Sequence, residues 1–235
     1  RGVRKKMHIL EGFYRHDITK LLKKQKGNVG IELGVAEGVF SSRMVKSGIF
    51  SKFFGIDKYD DIHDIVEYKT ALKNVGLLSN YSLLKMTFDE AIELFDDESI
   101  DFIYIDGYAY NGENGGRTII EWSRKVKIGG VIAGDDYHTD WPLVLEAVNY
   151  FIDQSGFELN VTSETEKNPY SRYPSWAVIK KHTTNNLRPS QQLIKKGLRA
   201  RRHSISEQIK ILIKNIVKRV LSRSLLNIIR RFLRR

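Results

Sequence analysis

An α/β fold built on a doubly wound, seven-stranded sheet with an antiparallel last strand is predicted by three features of the sequence. Short apolar runs alternate with longer segments of helical period as far as about residue 182, the pattern of parallel strands joined by crossover helices. Several runs stop abruptly at a glycine or a carboxylate, as "IEL" does before Gly34, "FFGID" at Asp57 and "FIYID" at Asp106. The last two runs, "FELNVTS" (157–163) and "SWAVIKK" (175–181), are separated only by the turn-rich "ETEKNPYSRYP". Two strands without a helix between them pair most simply as a hairpin, so the final strand runs against the rest.

Taken in order, Val29, Ile31 and Leu33 give the first strand, near 29–33, and further strands follow near 53–57, 82–86, 101–106 and 129–134, ahead of the hairpin. Helices fill the gaps at roughly 38–47, 64–76, 88–95, 114–126 and 141–154. No internal repeat is present.

Composition bounds the function. With 41% hydrophobic residues the chain can bury a core, and the absence of cysteine excludes a disulfide framework and thiolate metal sites. No apolar run approaches the roughly 20 residues that span a bilayer, and no signal-peptide core follows the basic start, so a cytoplasmic, reducing location is expected. The first residue is Arg1, as expected for one module of a longer polypeptide.

The net charge of +11 is uneven. Residues 183–235 carry 15 Lys and Arg against one acid, Glu207, whereas residues 1–182 carry 24 against 27. The reading is therefore a mildly acidic domain over 1–182 and a basic linker with an amphipathic helical tail over 183–235. In that tail Ile205, Ile209, Leu212, Ile216, Val220, Ile228 and Phe232 fall near helical spacing, with basic residues mostly between them. Such a helix suits an anionic membrane surface, a neighbouring module or its own domain. Nucleic acid is disfavoured because Phe232 is the tail's lone aromatic and offers no row of stacking platforms.

The stretch "VGIELGVAEGVFSS" (29–42) carries the first chemical signal. In a parallel sheet, ligands bind beyond the carboxyl ends of strands, where a glycine turn lets backbone N–H groups approach. Glu32, Gly34 and Gly38 fit such a turn, but the spacing is not G-x-G-x-x-G and a carboxylate there would repel phosphate. It suits a ligand bearing a cation. Asp57 ends the next strand, placed to accept from ribose hydroxyls; Thr87 follows the third and Asp106 ends the fourth. S-adenosylmethionine, an adenosine with a positive sulfonium, satisfies all of these together.

These residues resemble the class I S-adenosylmethionine-dependent methyltransferases, a Rossmann-like family, and in particular its macrocin-type sugar O-methyltransferase branch. The resemblance covers about residues 25–182 and rests on "IELGVAEGVFS", "GIDKYDD", "DESIDFIYIDG" and "KIGGVIAGDDYHTDWPLVLEAVNYF". It implies cofactor binding by Glu32, Gly34, Gly38, Asp57, Thr87 and Asp106, and transfer of a methyl group to a hydroxyl of a sugar or glycan, such as a rhamnose-like deoxyhexose. Glycosyltransferase modules would be natural neighbours.

Asp135 and Asp136 end the fifth strand, next to Asp106 across the sheet. Clustered carboxylates need a neutralising cation, and hard oxygen ligands suit Mg²⁺. In the resembling enzymes acids at matching strand ends bind a divalent ion, which places metal ligation on Asp106, Asp135 and Asp136. Many relatives carry "DG-x-H-x-Y" after the fourth strand, whereas this chain has "DGYAYNGENGG", with Ala109 at the His position. The general base is then His138, with Asp106 as competitor or metal activation as substitute. Tyr108, Tyr110 and Asn111 in the same loop suit stacking on, and hydrogen bonding to, a sugar. Two other classes stay open: an RNA methyltransferase that clamps phosphates with its tail, and a noncatalytic adapter, against which the retained Glu32, Gly34, Asp57 and acids speak.

Overall fold

A computed structural model describes residues 7–60, 64–167, 171–203, 206, 210 and 213. The chain to Gly197 is one compact unit, and the segment from Leu198 is a second. In the first, strands β1 (Met7–Leu10), β2 (Asn28–Leu33), β3 (Phe50–Asp57), β4 (Tyr81–Lys85), β5 (Ile100–Ile105), β6 (Val126–Gly134), β7 (Leu159–Thr162) and β8 (Trp176–Ile179) form a single sheet in the order β1-β7-β8-β6-β5-β2-β3-β4. Strand β8 lies antiparallel to both β6 and β7, and every other pairing is parallel.

The expected count of seven is corrected to eight by β1, which pairs in parallel with β7 from Met7↔Leu159 to Leu10↔Thr162. It is only four residues long, sits at the sheet edge with Met7 and Ile9 exposed, and follows a basic stretch. An edge strand buried on neither face has no continuous apolar run to betray it.

The helices are α1 (Val39–Lys46), α2 (Ile65–Ala71, continued by a π turn over Leu72–Gly76), α3 (Phe88–Ala91), a single irregular turn α4 (Gly112–Gly115), α5 (Arg117–Ser123) and α6 (Pro142–Ser155). Strand β5 shows how they cover the sheet. Ile103 and Ile105 join one apolar cluster with residues of α3, α5 and α6, while Phe102 and Tyr104 join the other with α1 and the 3-10 segment Arg15–Leu21. The period of two sends alternate residues to opposite faces, and both faces are buried.

The segment predicted as a linker from residue 183 stays packed on the domain as far as Gly197. The Ser123 hydroxyl donates to Thr184 Oγ1 at 2.8 Å, and Thr184 and Leu193 are buried. From 191 to 203 the chain is helical, as are 206, 210 and 213. The tail positions Ile205, Ile209, Leu212, Ile216, Val220, Ile228 and Phe232 lie outside the described residues. Among the described residues no helix is long and apolar enough to cross a membrane.

Register aligns the strand ends. Leu33 is level with Ile56 and Ile105, and Ile105 is level with Gly134, so Gly34, Asp57, Asp106 and Asp135 stand in one row across β3, β2, β5 and β6. Gly34 is required there: its φ is +91°, and a Cβ would lie 2.3 Å from the Asp106 carbonyl oxygen and 3.1 Å from Gly107 Cα. Gly34→Ala is expected to cost more than about 2 kcal/mol, because both the backbone angle and the neighbouring strand end resist it; urea denaturation of the two proteins measures the difference.

Candidate active site

The chain runs outward through β2, β3 and β4 and then returns to place β5 on the other side of β2, making a switch point between β2 and β5. A cavity of about 220 Å³ opens there. Its walls are the turn Gly34–Glu37, Asp57 and Lys58 after β3, Phe88, the segment Asp106–Tyr110 after β5, Trp141, and Arg15 from the N-terminal 3-10 segment.

Arg15 is the centre of the site. Its Nη1 donates to Asp106 Oδ2 at 3.1 Å and to Asp135 Oδ2 at 3.0 Å, bridging the ends of β5 and β6. The guanidinium lies 4.6 Å from the Phe40 ring centroid and 5.4 Å from that of Tyr104, and the residue is only 7% exposed. The second oxygen of Asp135 accepts from the Ser175 hydroxyl at 2.9 Å, and Ser175 is in turn 2.7 Å from the Tyr104 hydroxyl.

Enclosure shapes the protonation of these groups. Burial works against the Arg15 charge, but Tyr104, Asp106, Asp135 and Glu32 outweigh it and hold the guanidinium above its ordinary pKa. Burial raises Asp106, reinforced by Asp135, and raises Asp135 as well, while Arg15 pulls both back down. Asp136, beside them with a left-handed φ of 60°, is pushed up to about 7 by burial and by Asp135. Glu113 is raised by burial and by Asp136 and Asp135, and its Oε2 has no hydrogen-bond partner among the described residues.

Glu32 stands one residue inside β2, level with Tyr104 and Gly55. It accepts a short hydrogen bond from Ser41 of α1, whose hydroxyl is 2.9 Å from Tyr81 Oη. Gly55 makes this possible, since a Cβ there would fall 1.9 Å from the Tyr81 hydroxyl. Burial lifts the Glu32 pKa to about 8, against the pull of Ser41 and Arg15.

Of the residues expected from sequence, Glu32, Gly34, Asp57 and Asp106 meet in the cavity wall, while Thr87, Gly38, His138 and Asn111 make their contacts elsewhere. Thr87 is not in that wall: it caps α3, its N–H and hydroxyl both donating to Glu90 Oε2 at 2.8 Å, and Phe88 takes the place beside the cavity. Gly38, with φ +76°, caps α1, where a Cβ would press on Val75 at 3.1 Å and Ala71 at 3.3 Å. His138 is turned outward by the tight turn after Asp136; it stacks on Tyr173 at 4.8 Å and accepts from the Asp140 N–H at 3.2 Å. Asn111 is buried, capping α4 through its hydrogen bond from the Asn114 N–H at 2.9 Å.

The Mg²⁺ expectation is corrected too, because the residues do not fit that ion. Mg²⁺ needs oxygens at about 2.0–2.1 Å, and the two Oδ2 atoms that would supply them converge on Arg15 instead. Among the described residues no group of three or more His, Cys, Asp or Glu is arranged to hold a metal ion.

Sequence reasoning missed Arg15, Ser175, Phe88 and Trp141. The available signal was the acid cluster itself: it demanded a cation, and "GFYRHDITKLL" offers an arginine among apolar residues.

Residues 31–137 match the family model described as Methyltransferase domain. The match takes in the whole row from Gly34 to Asp135 and leaves Arg15 and Ser175 outside it. Precorrin-6y C5,15-methyltransferase from Geobacter metallireducens GS-15 has the same fold, with a TM-score of 0.54 at 18% identity over 70% of this chain and 86% of that one. An S-adenosylmethionine-dependent O-methyltransferase from Thermotoga maritima gives 0.51 at 18% identity over 73% and 67%. Spermidine synthase from the same organism gives 0.54 at 13% over 74% and 59%, so the shared fold does not by itself choose the chemistry. No curated protein matches the sequence.

The Glu32 shift predicts a sign for pH dependence. A carboxyl whose folded pKa is raised from 4.5 to about 8 is buried neutral, so the folded state binds the extra proton and stability falls as pH rises through that interval. Glu32→Gln keeps the neutral shape, and its melting temperature is expected to fall less between pH 5 and 8 than that of the wild type; a calorimetric pH series checks this.

Proposed function

We propose that the chain is an S-adenosylmethionine-dependent O-methyltransferase acting on a sugar hydroxyl. The observation that carries the reading is that Gly34, Asp57 and Asp106 share one cavity at the switch point, within the segment that matches a methyltransferase domain.

Asp57 already organises the turn that would meet the cofactor. Its Oδ2 accepts from the N–H groups of Val35 and Ala36 at 2.9 and 3.1 Å, and its Oδ1 accepts from Tyr59 N–H at 3.2 Å. A carboxylate has about four lone-pair sites, which leaves capacity for a ribose hydroxyl. Phe88, its ring tilted against Tyr108 with centroids 4.8 Å apart, gives an apolar wall for adenine in place of Thr87.

When bound, the cofactor supplies an electrophilic methyl group for in-line displacement by an acceptor oxygen, leaving S-adenosylhomocysteine. In this proposal Asp106 takes the hydroxyl proton; in support, it faces the cavity, its side chain is 23% exposed, and only Oδ2 is engaged by Arg15. Burial and Asp135 raise its pKa above the ordinary carboxylate range, which makes it a stronger base once ionised. For the acceptor, Tyr108, Tyr110 and Trp141 offer aromatic faces, and the buried Trp141 indole N–H has no protein acceptor among the described residues. The choice of a deoxyhexose such as rhamnose rests on the sequence resemblance. A cytoplasmic enzyme docked through its basic tail to a membrane surface or to a neighbouring glycosyltransferase module completes the proposal, on the tail's charge.

Titration calorimetry with S-adenosylhomocysteine is expected to show micromolar binding by the wild type, weakened about tenfold or more in Asp57→Ala, a loss of at least about 1.4 kcal/mol. Absence of binding by the wild type would overturn the reading.

A further inference from the structure

We propose that Arg15 is the permanent counter-cation of the acid row, standing where a divalent ion would sit, so that the site as built neither takes nor needs one. Without the guanidinium, the same carboxylates become a divalent-cation site.

Carboxylates at the ends of adjacent strands need a cation, and the fold provides one from its own N-terminal segment. One nitrogen, Nη1, contacts the Oδ2 atoms of both Asp106 and Asp135. A metal shared by the two acids would have to bind at that same point. The guanidinium is also built in rather than passing through: it is 7% exposed, packs on Phe40 and Tyr104, and faces an Asp135 that Ser175 holds from behind. It does not lose its proton in proteins, so no ordinary pH clears the position.

Arg15 and Ser175 both lie outside the segment that matches the methyltransferase domain, so this arrangement is supplied by the flanking parts of the chain.

The test is titration of the full chain with Mn²⁺ and Mg²⁺ in the absence of cofactor, which makes it independent of whether S-adenosylhomocysteine binds. Arg15→Met keeps the stem that packs on Phe40 and Tyr104. The wild type is expected to bind neither ion up to about millimolar concentration; Arg15→Met is expected to bind Mn²⁺ about tenfold more tightly or better, and Arg15→Met/Asp135→Asn to lose that gain. Mn²⁺ binding by the wild type that Asp106→Asn abolishes would overturn the proposal, as would an Arg15→Met protein that folds but gains nothing. Should Arg15→Met fail to fold, circular dichroism of the double variant decides. Recovery of the fold on removing the stranded charge at Asp135 supports the counter-charge role, whereas failure of both variants reduces Arg15 to packing and ends the proposal.

Discussion

A single nitrogen of Arg15 ties the ends of β5 and β6 together, and the enclosed site depends on that contact. Asp106 and Asp135 sit on adjacent strands, with Asp136 and Glu113 close by and Glu32 within reach of the same guanidinium. Carboxylates this close cannot all ionise in an enclosed space without an opposing charge. The structure meets the constraint in two ways. Arg15 balances the acids in direct contact, and burial raises the pKa of Glu32, Glu113 and Asp136 so that protonation answers for the rest.

The same constraint explains the N-terminal segment. Strand β1 gains little by apolar burial, since its outward residues are exposed, but its pairing with β7 leads the chain into the 3-10 segment that begins at Arg15. Tyr104, Ser175, Asp135, Arg15 and Asp106 then form a chain of contacts drawn from the N-terminus, the sheet centre and the entry to β8. Ser175, Asp135 and Arg15 are each held by two neighbours in this chain, which is how buried polar groups become rigid rather than costly.

Glycine and positive φ mark where the backbone was shaped for this site. The segment after β5 is glycine-rich, yet Asn111, Gly112, Glu113 and Gly115 are buried, and Cβ atoms on Gly112 and Gly115 would fall 2.4 Å from the backbones of Leu143 and Leu193. Close packing, not looseness, is what those glycines serve. Tyr108, Glu113, Asn114 and Asp136 also hold left-handed angles, a concentration of strain of the kind that accompanies functional sites.

The alternation of strands and helices from β2 onward, the reversal of the last strand, and the glycine and three acids at strand ends were determined by the sequence itself. Each follows from a periodicity or an abrupt ending that is local to one segment. Helix caps and turns could have been read one step further, since Thr87-x-x-Glu90 is a capping box that claims its threonine for α3. Only the tertiary structure decided which cation serves the acids. Arg15 meets Asp106 across 91 residues and Asp135 across 120, and Ser175 reaches Asp135 across 40, separations that no window of sequence pattern spans. The outward turn of His138 and the edge pairing of β1 belong to the same class: where a side chain points after a turn, and what an unremarkable strand pairs with, depend on surfaces that exist only once the rest of the chain has folded.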